Sequence, residues 1–176
     1  MVLLKIGFLK NRMAIVYWIT GLSGVGKTPL SKELYNKISK KEPTVLIDGD
    51  KIRAILGNTS ATDKESRLKI SYVYSNLAKV IVSQNINVIC STISLFHEIH
   101  SYNRSIFKEY KEIFIKKDIK KLIHEDKNGI YSKSLKDKEF VVGINIEPEY
   151  PKNPNITLDF NLSQDLNPII ENILKL

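Results

Sequence analysis

The sequence predicts an α/β fold, a doubly wound parallel sheet flanked by helices, and two observations carry that expectation. Short β-rich apolar runs alternate with longer stretches of helical character along the whole chain. The first run, Ile15–Thr20, leads straight into a glycine-rich turn and a helix, the arrangement of a strand feeding a ligand crevice. At 176 residues the chain fits one domain with a sizeable core.

Strands are expected at Ala14–Thr20, Thr44–Ile47, Asn87–Ser91, Glu112–Ile115 and Asn155–Leu158. Helices are expected at about Lys27–Lys40, Asp63–Gln84, Phe96–Tyr110, Ile119–His124 and Gln164–Leu174. Thr62 and Glu65 have the spacing of a capping box opening the second helix. Residues 126–154 are rich in Lys, Gly, Pro and Asn without core periodicity, which predicts a functional loop or lid. Residues 1–12 read as an N-terminal extension, and 13–176 as a single domain. Lys5 interrupts the apolar start and no small-residue cleavage site follows, so no signal peptide is expected.

Gly21-Leu22-Ser23-Gly24-Val25-Gly26-Lys27-Thr28 fits the phosphate-loop pattern in full, in strand–loop–helix context. It predicts a P-loop NTPase-type fold that binds ATP with Mg²⁺. Glycines let backbone N–H groups converge on phosphate, and the helix N-terminus adds favourable charge. Lys27 is expected to neutralise the β- and γ-phosphates and Thr28 to coordinate Mg²⁺. Pro29 sits in the first helical turn, where the fold tolerates it, but it removes an N–H aimed at phosphate.

The second strand ends in Asp48-Gly49-Asp50, where two carboxylates can serve Mg²⁺ and accept a proton from a hydroxyl. A turn with a helix N-cap is the alternative reading of the same residues. The formal charge of +8 suits an anionic ligand. The lysines form no stripe interleaved with aromatics, so nucleic acid is not an expected partner. No apolar run reaches the length of a membrane span, and the single cysteine excludes an internal disulfide, so the expected place is the cytoplasm. Cys90, Tyr17 and Trp18 read as core, and Tyr72 and Tyr74 as core or dimer-face residues. The three histidines lack metal-ligand spacing.

From about Ala14 to Phe160 the chain resembles the adenylylsulfate (APS) kinases. The resemblance rests on an ordered succession: Gly21–Thr28, Asp48-Gly49-Asp50-Lys51-Ile52-Arg53, Arg67 fourteen residues further, Ile93-Ser94-Leu95-Phe96, Asp126-Lys127-Asn128-Gly129-Ile130-Tyr131, Gly143-Ile144 and Leu158-Asp159. It implies a dimeric kinase that transfers the ATP γ-phosphate to the 3′-hydroxyl of a small anionic nucleotide, adenylylsulfate by family default. It further implies Asp50 as general base, Asp48 near Mg²⁺, and Arg53 and Arg67 gripping the charged tail of the acceptor. Ser94 lies near the phosphates, Lys138 approaches substrate, and Phe140 stacks on its base.

Departures gather on the acceptor side. An expected aromatic falls at Thr62 and an expected Asn at Ile70. The family's Pro and Arg after the strand-end serine are Leu95 and His97, and the lid lacks an Arg at Glu125. His97 is expected to keep a weak anion contact. These changes favour an altered acceptor: a kinase acting on cytidine diphosphoramidate, in capsule biosynthesis, is the alternative within the resemblance. A nucleotide-binding protein that has lost turnover is the alternative outside it.

Overall fold

The computed structural model describes residues 13–57, 63–126, 129–137, 141–159 and 165–176. Among these residues five parallel strands form one sheet in the order β2-β3-β1-β4-β5: β1 Val16–Thr20, β2 Thr44–Asp48, β3 Asn87–Thr92, β4 Tyr110–Ile115 and β5 Ile156–Leu158. β1 lies at the centre, with Val16 in register with Val88 on one side and Tyr110 on the other. All five of its residues are buried, which is why it reads as a continuous apolar run instead of an alternating one.

Among the described residues, seven helices connect and flank the strands: α1 Lys27–Ile38, α2 Gly49–Ile55, α3 Lys64–Val82, α4 His97–Ile106, α5 Ile119–Glu125, α6 Ile130–Asp137 and α7 Asn167–Ile173. The connection leaving β1 runs to β2 on one side, while that leaving β3 crosses β1 to reach β4. The carboxyl ends of β1 and β3 therefore flank the switch point, where open α/β sheets open a ligand crevice. Trp18, Leu30, Leu34, Ile89, Phe96 and Ile99 fill the core. Tyr17 and Cys90 are buried there as expected, and burial raises the Cys90 thiol pKa.

All five strands form where the sequence places them, with ends shifted by a residue or two. The helix expected to run to Tyr110 stops at Ile106, because Phe107 turns extended and Tyr110 already pairs with Val16. The capping box lies one residue later than expected. Asp63 Oδ1 accepts from Ser66 N at 2.7 Å and Ser66 Oγ accepts from Asp63 N at 3.4 Å, so Asp63 and Ser66, not Thr62 and Glu65, open α3. Thr62 lies outside the described residues.

Two helices are absent from the sequence reading. α2 begins directly at the Asp-Gly-Asp turn, and α6 lies inside the segment expected to be a loop or lid. Residues 1–12, Lys138 and Phe140 lie outside the described residues.

Candidate active site

The loop between β1 and α1 turns from the strand end directly into the N-terminus of the helix. Gly21 has no room for a side chain: a Cβ there would meet Ile115 O at 2.6 Å. Gly26, the N-cap of α1, takes φ 105, a left-handed conformation that glycine adopts without strain. Lys27 Nζ donates to Gly21 O at 3.0 Å and Leu22 O at 2.7 Å, folding back over its own loop. Burial of that ammonium lowers its pKa to about 8; Asp50 and Asp48 pull the other way and Arg53 adds repulsion. Lys27, Asp48, Asp50 and Arg53 therefore act on one another electrostatically. Thr28 is exposed on the first turn of α1, as is Pro29, and the first intrahelical bond shown there is Leu30 N to Gly26 O at 3.3 Å. Pro29 thus costs the helix no bond.

Asp48 caps α2, its Oδ1 accepting from Asp50 N at 3.0 Å and Lys51 N at 3.4 Å. The turn-with-N-cap reading therefore holds for Asp48. Asp50 is largely exposed and forms an ion pair with Arg53. The Thr28 hydroxyl and the Asp48 carboxylate are hard oxygen donors, the chemistry that suits Mg²⁺.

A small pocket opens beside this turn, lined by Arg53, Arg67, Ser71, Tyr74, Ser94 and Phe96 among others. Burial, then repulsion from Arg53, lowers the Arg67 pKa. Two guanidinium groups in one small pocket make a receptor for a tetrahedral anion. Ser94, just past β3, sits at φ 28 and is buried. Its carbonyl contacts His100 Nε2 at 3.1 Å, and Thr20 Oγ1 bonds Ile93 O, tying the ends of β1 and β3 together. Burial depresses the His100 pKa to about 4, so the ring is neutral at ordinary pH.

Three residues of this region escaped the sequence reading. Tyr74 is core, as expected, but it also lines the pocket and donates from its hydroxyl to Gly49 O at 2.9 Å. Burial pushes its pKa up to about 12. Ser71 bonds Ser94 across the pocket floor. Tyr131, noted only as part of a motif, is buried and donates to Ser23 O at 2.9 Å, joining α6 to the phosphate loop. Asp126 sets that helix, accepting from Tyr131 N at 2.8 Å and Ser132 N at 3.1 Å. His97 is not at the pocket: its Nε2 contacts Tyr150 O at 2.9 Å, with Glu149 near its Nδ1 at 3.8 Å.

A phosphate loop, an adjoining carboxylate turn and an arginine pocket at the switch point of a parallel sheet define a small P-loop kinase. The chain belongs to the adenylylsulphate kinase family, whose sequence model matches residues 13–159. It is 37% identical over 169 residues to the cytidine diphosphoramidate kinase of Campylobacter jejuni, covering 95% of this chain and 98% of that one. It is 31% identical over 170 residues to the adenylyl-sulfate kinase of Pseudomonas aeruginosa, covering 94% and 86%. The fold superposes on the Mycobacterium tuberculosis APS kinase in complex with AMPPNP and APS with TM-score 0.81, at 21% identity and 93% and 96% coverage. The protein is accordingly a phosphotransferase with a hydroxyl acceptor.

Proposed function

We propose that this kinase transfers the γ-phosphate of ATP to the 3′-hydroxyl of cytidine diphosphoramidate. The observation that carries the reading is the near-complete correspondence with the Campylobacter jejuni cytidine diphosphoramidate kinase, 95% of this chain against 98% of that one. Ile70, which lines the arginine pocket where the resemblance leads one to expect Asn, agrees with it.

In this reading the backbone of Gly21–Thr28 cradles the triphosphate, and Lys27 moves its charge from the loop carbonyls to the β- and γ-phosphates. Mg²⁺, held by Thr28 and Asp48, would screen charge on the phosphate oxygens. Arg53 and Arg67, with Ser94, hold the charged tail of the acceptor. Asp50 takes the proton of the 3′-hydroxyl as its oxygen forms the new bond to the γ-phosphorus; the bond to the β-phosphate oxygen breaks and ADP leaves. Lys138 and Phe140 complete the acceptor site from a lid spanning about residues 126–154. Residues 13–176 act as one kinase domain, in a homodimer in the cytoplasm, and the product enters capsule biosynthesis.

Adenylylsulfate is the second reading, favoured by the family match itself. Coupled ADP-release assays with cytidine diphosphoramidate, adenylylsulfate and gluconate separate the readings. Turnover highest with cytidine diphosphoramidate is expected; turnover with adenylylsulfate alone overturns the choice of acceptor, and turnover with gluconate alone overturns the nucleotide site.

A further inference from the structure

Three hydroxyls lie in a row on the floor of the arginine pocket. Ser71 Oγ donates to Arg67 O at 2.9 Å, Ser71 Oγ and Ser94 Oγ are 2.8 Å apart, and Thr92 Oγ1 and Ser94 Oγ are 2.9 Å apart. Each hydroxyl owns one proton, and a carbonyl only accepts. The Ser71 proton is therefore directed to Arg67 O, Ser94 donates to Ser71, and Thr92 donates to Ser94. Every proton of the row points the same way. Ser94 Oγ, with two lone pairs, accepts from Thr92 with one and keeps the other.

The row is buried: Ser71 is 2%, Thr92 4% and Ser94 4% exposed. Ser94 and Thr92 line the pocket together with Arg53 and Arg67. The pocket thus sets donors, the two guanidinium groups, beside a buried acceptor whose own proton is committed elsewhere. A tail whose outer atoms all accept, such as a sulfate, satisfies the arginines but leaves the Ser94 lone pair facing another lone pair. A tail ending in P–NH₂ offers oxygens to the arginines and an N–H to Ser94.

We infer that Ser94 Oγ, oriented by Ser71, accepts a hydrogen bond from the terminal amidate nitrogen of the acceptor, making Ser71 a positioning residue that sets the preference for a phosphoramidate tail. The inference deepens the reading of the acceptor as cytidine diphosphoramidate and rests on it. Thr92 holds the hydroxyl from the opposite side and contributes no proton to the tail.

The test measures kcat/KM of the full chain for cytidine diphosphoramidate and for an analogue with methyl in place of the amino group. The analogue keeps charge and approximate size but has no N–H. The wild type is expected to favour the amidate by about five- to tenfold, the worth of one neutral hydrogen bond. In Ser71→Ala the Ser94 proton is released and can turn into the pocket, so the preference falls towards unity while the KM for ATP holds. Ser94→Ala removes the acceptor itself, is expected to lose the same preference, and decides the matter should Ser71→Ala not fold. Retention of the wild-type preference in Ser71→Ala, or in Ser94→Ala, overturns the inference, as does a wild type indifferent to the amino group. Turnover of adenylylsulfate with neither cytidine compound accepted overturns the acceptor reading, a result distinguishable from the others.

Discussion

Tyr131 Oη donates to Ser23 O at 2.9 Å, so a helix more than a hundred residues away in sequence holds the middle of the phosphate loop. Lys27 meanwhile holds the two preceding carbonyls, Gly21 O and Leu22 O. Three successive loop carbonyls are thereby fixed, which favours presenting their N–H groups to a phosphate. Tyr131→Phe keeps the ring and removes the bond. The expected result is a KM for ATP raised about fivefold, the worth of one buried hydrogen bond, with kcat less affected. Steady-state kinetics at saturating acceptor checks it.

Lys27 makes nucleotide binding pH-dependent. Its pKa in the free protein is about 8, below the ordinary 10.5, because its ammonium is buried. A bound polyphosphate favours the charged form and raises that pKa. ATP binding therefore takes up a proton at pH values above about 8, and affinity falls as pH rises through that value. The native state also binds fewer protons than the unfolded chain between about 8 and 10.5, so the lysine's contribution to stability increases with pH across that window. Calorimetric titrations with ATP at pH 9 in buffers of different ionisation enthalpy should show the uptake; none would remove Lys27 from the phosphates.

Asp50→Asn removes the proposed proton acceptor and the ion pair with Arg53 while leaving the loop intact. Phosphoryl transfer should drop by about 10²–10⁴-fold, the usual scale for a general base. ATP binding, followed by fluorescence with a labelled analogue, should persist. Full turnover in this variant would take Asp50 out of its assigned role.

Pro29 stands in the first turn of α1, beside the loop proposed to cradle the triphosphate, and no helical bond depends on it. Pro29→Thr should tighten ATP about tenfold, as expected for one hydrogen bond to a charged group. Equal dissociation constants for the two proteins would show that the missing donor is immaterial.

Away from the site, Glu112 is fully buried and pairs with Arg104, while Tyr110 Oη donates to it at 3.1 Å. Burial raises its pKa, so it is protonated at a higher pH than in the unfolded chain. Arg104→Ala strands a buried charge and should cost about 3 kcal/mol at neutral pH. The penalty should shrink as pH falls and Glu112 takes a proton, because the neutral acid needs no cation. Denaturant unfolding at pH 7 and 5 measures the difference.

The sheet was legible because each strand is an apolar run bounded by turn residues, and Ile15–Thr20 with Gly21–Thr28 is close to unambiguous. Lys27, Asp48, Asp50, Arg53, Arg67 and Ser94 could be named as candidates because short motifs tie each to a strand end or helix start. Tyr74 and Ser71 were not, since a buried tyrosine on a helix reads as core unless one knows which loop it meets. α2 was hidden because its seven residues begin on the charged turn itself and carry too few apolar positions to show a period. α6 was hidden because Asp126, not an apolar stripe, is what starts it. His97 stands where an arginine was expected, and its ring contacts the chain carbonyl of Tyr150, a partner the sequence does not name.

Ser94 keeps a β-carbon at φ 28, where most residues other than glycine are strained by about 1–3 kcal/mol. Glycine would relax that bend and delete the hydroxyl in one change. Firmness of the scaffold and discrimination among ligands thus pull this position in opposite directions, and a screen for heat tolerance alone would select the version least able to choose its substrate.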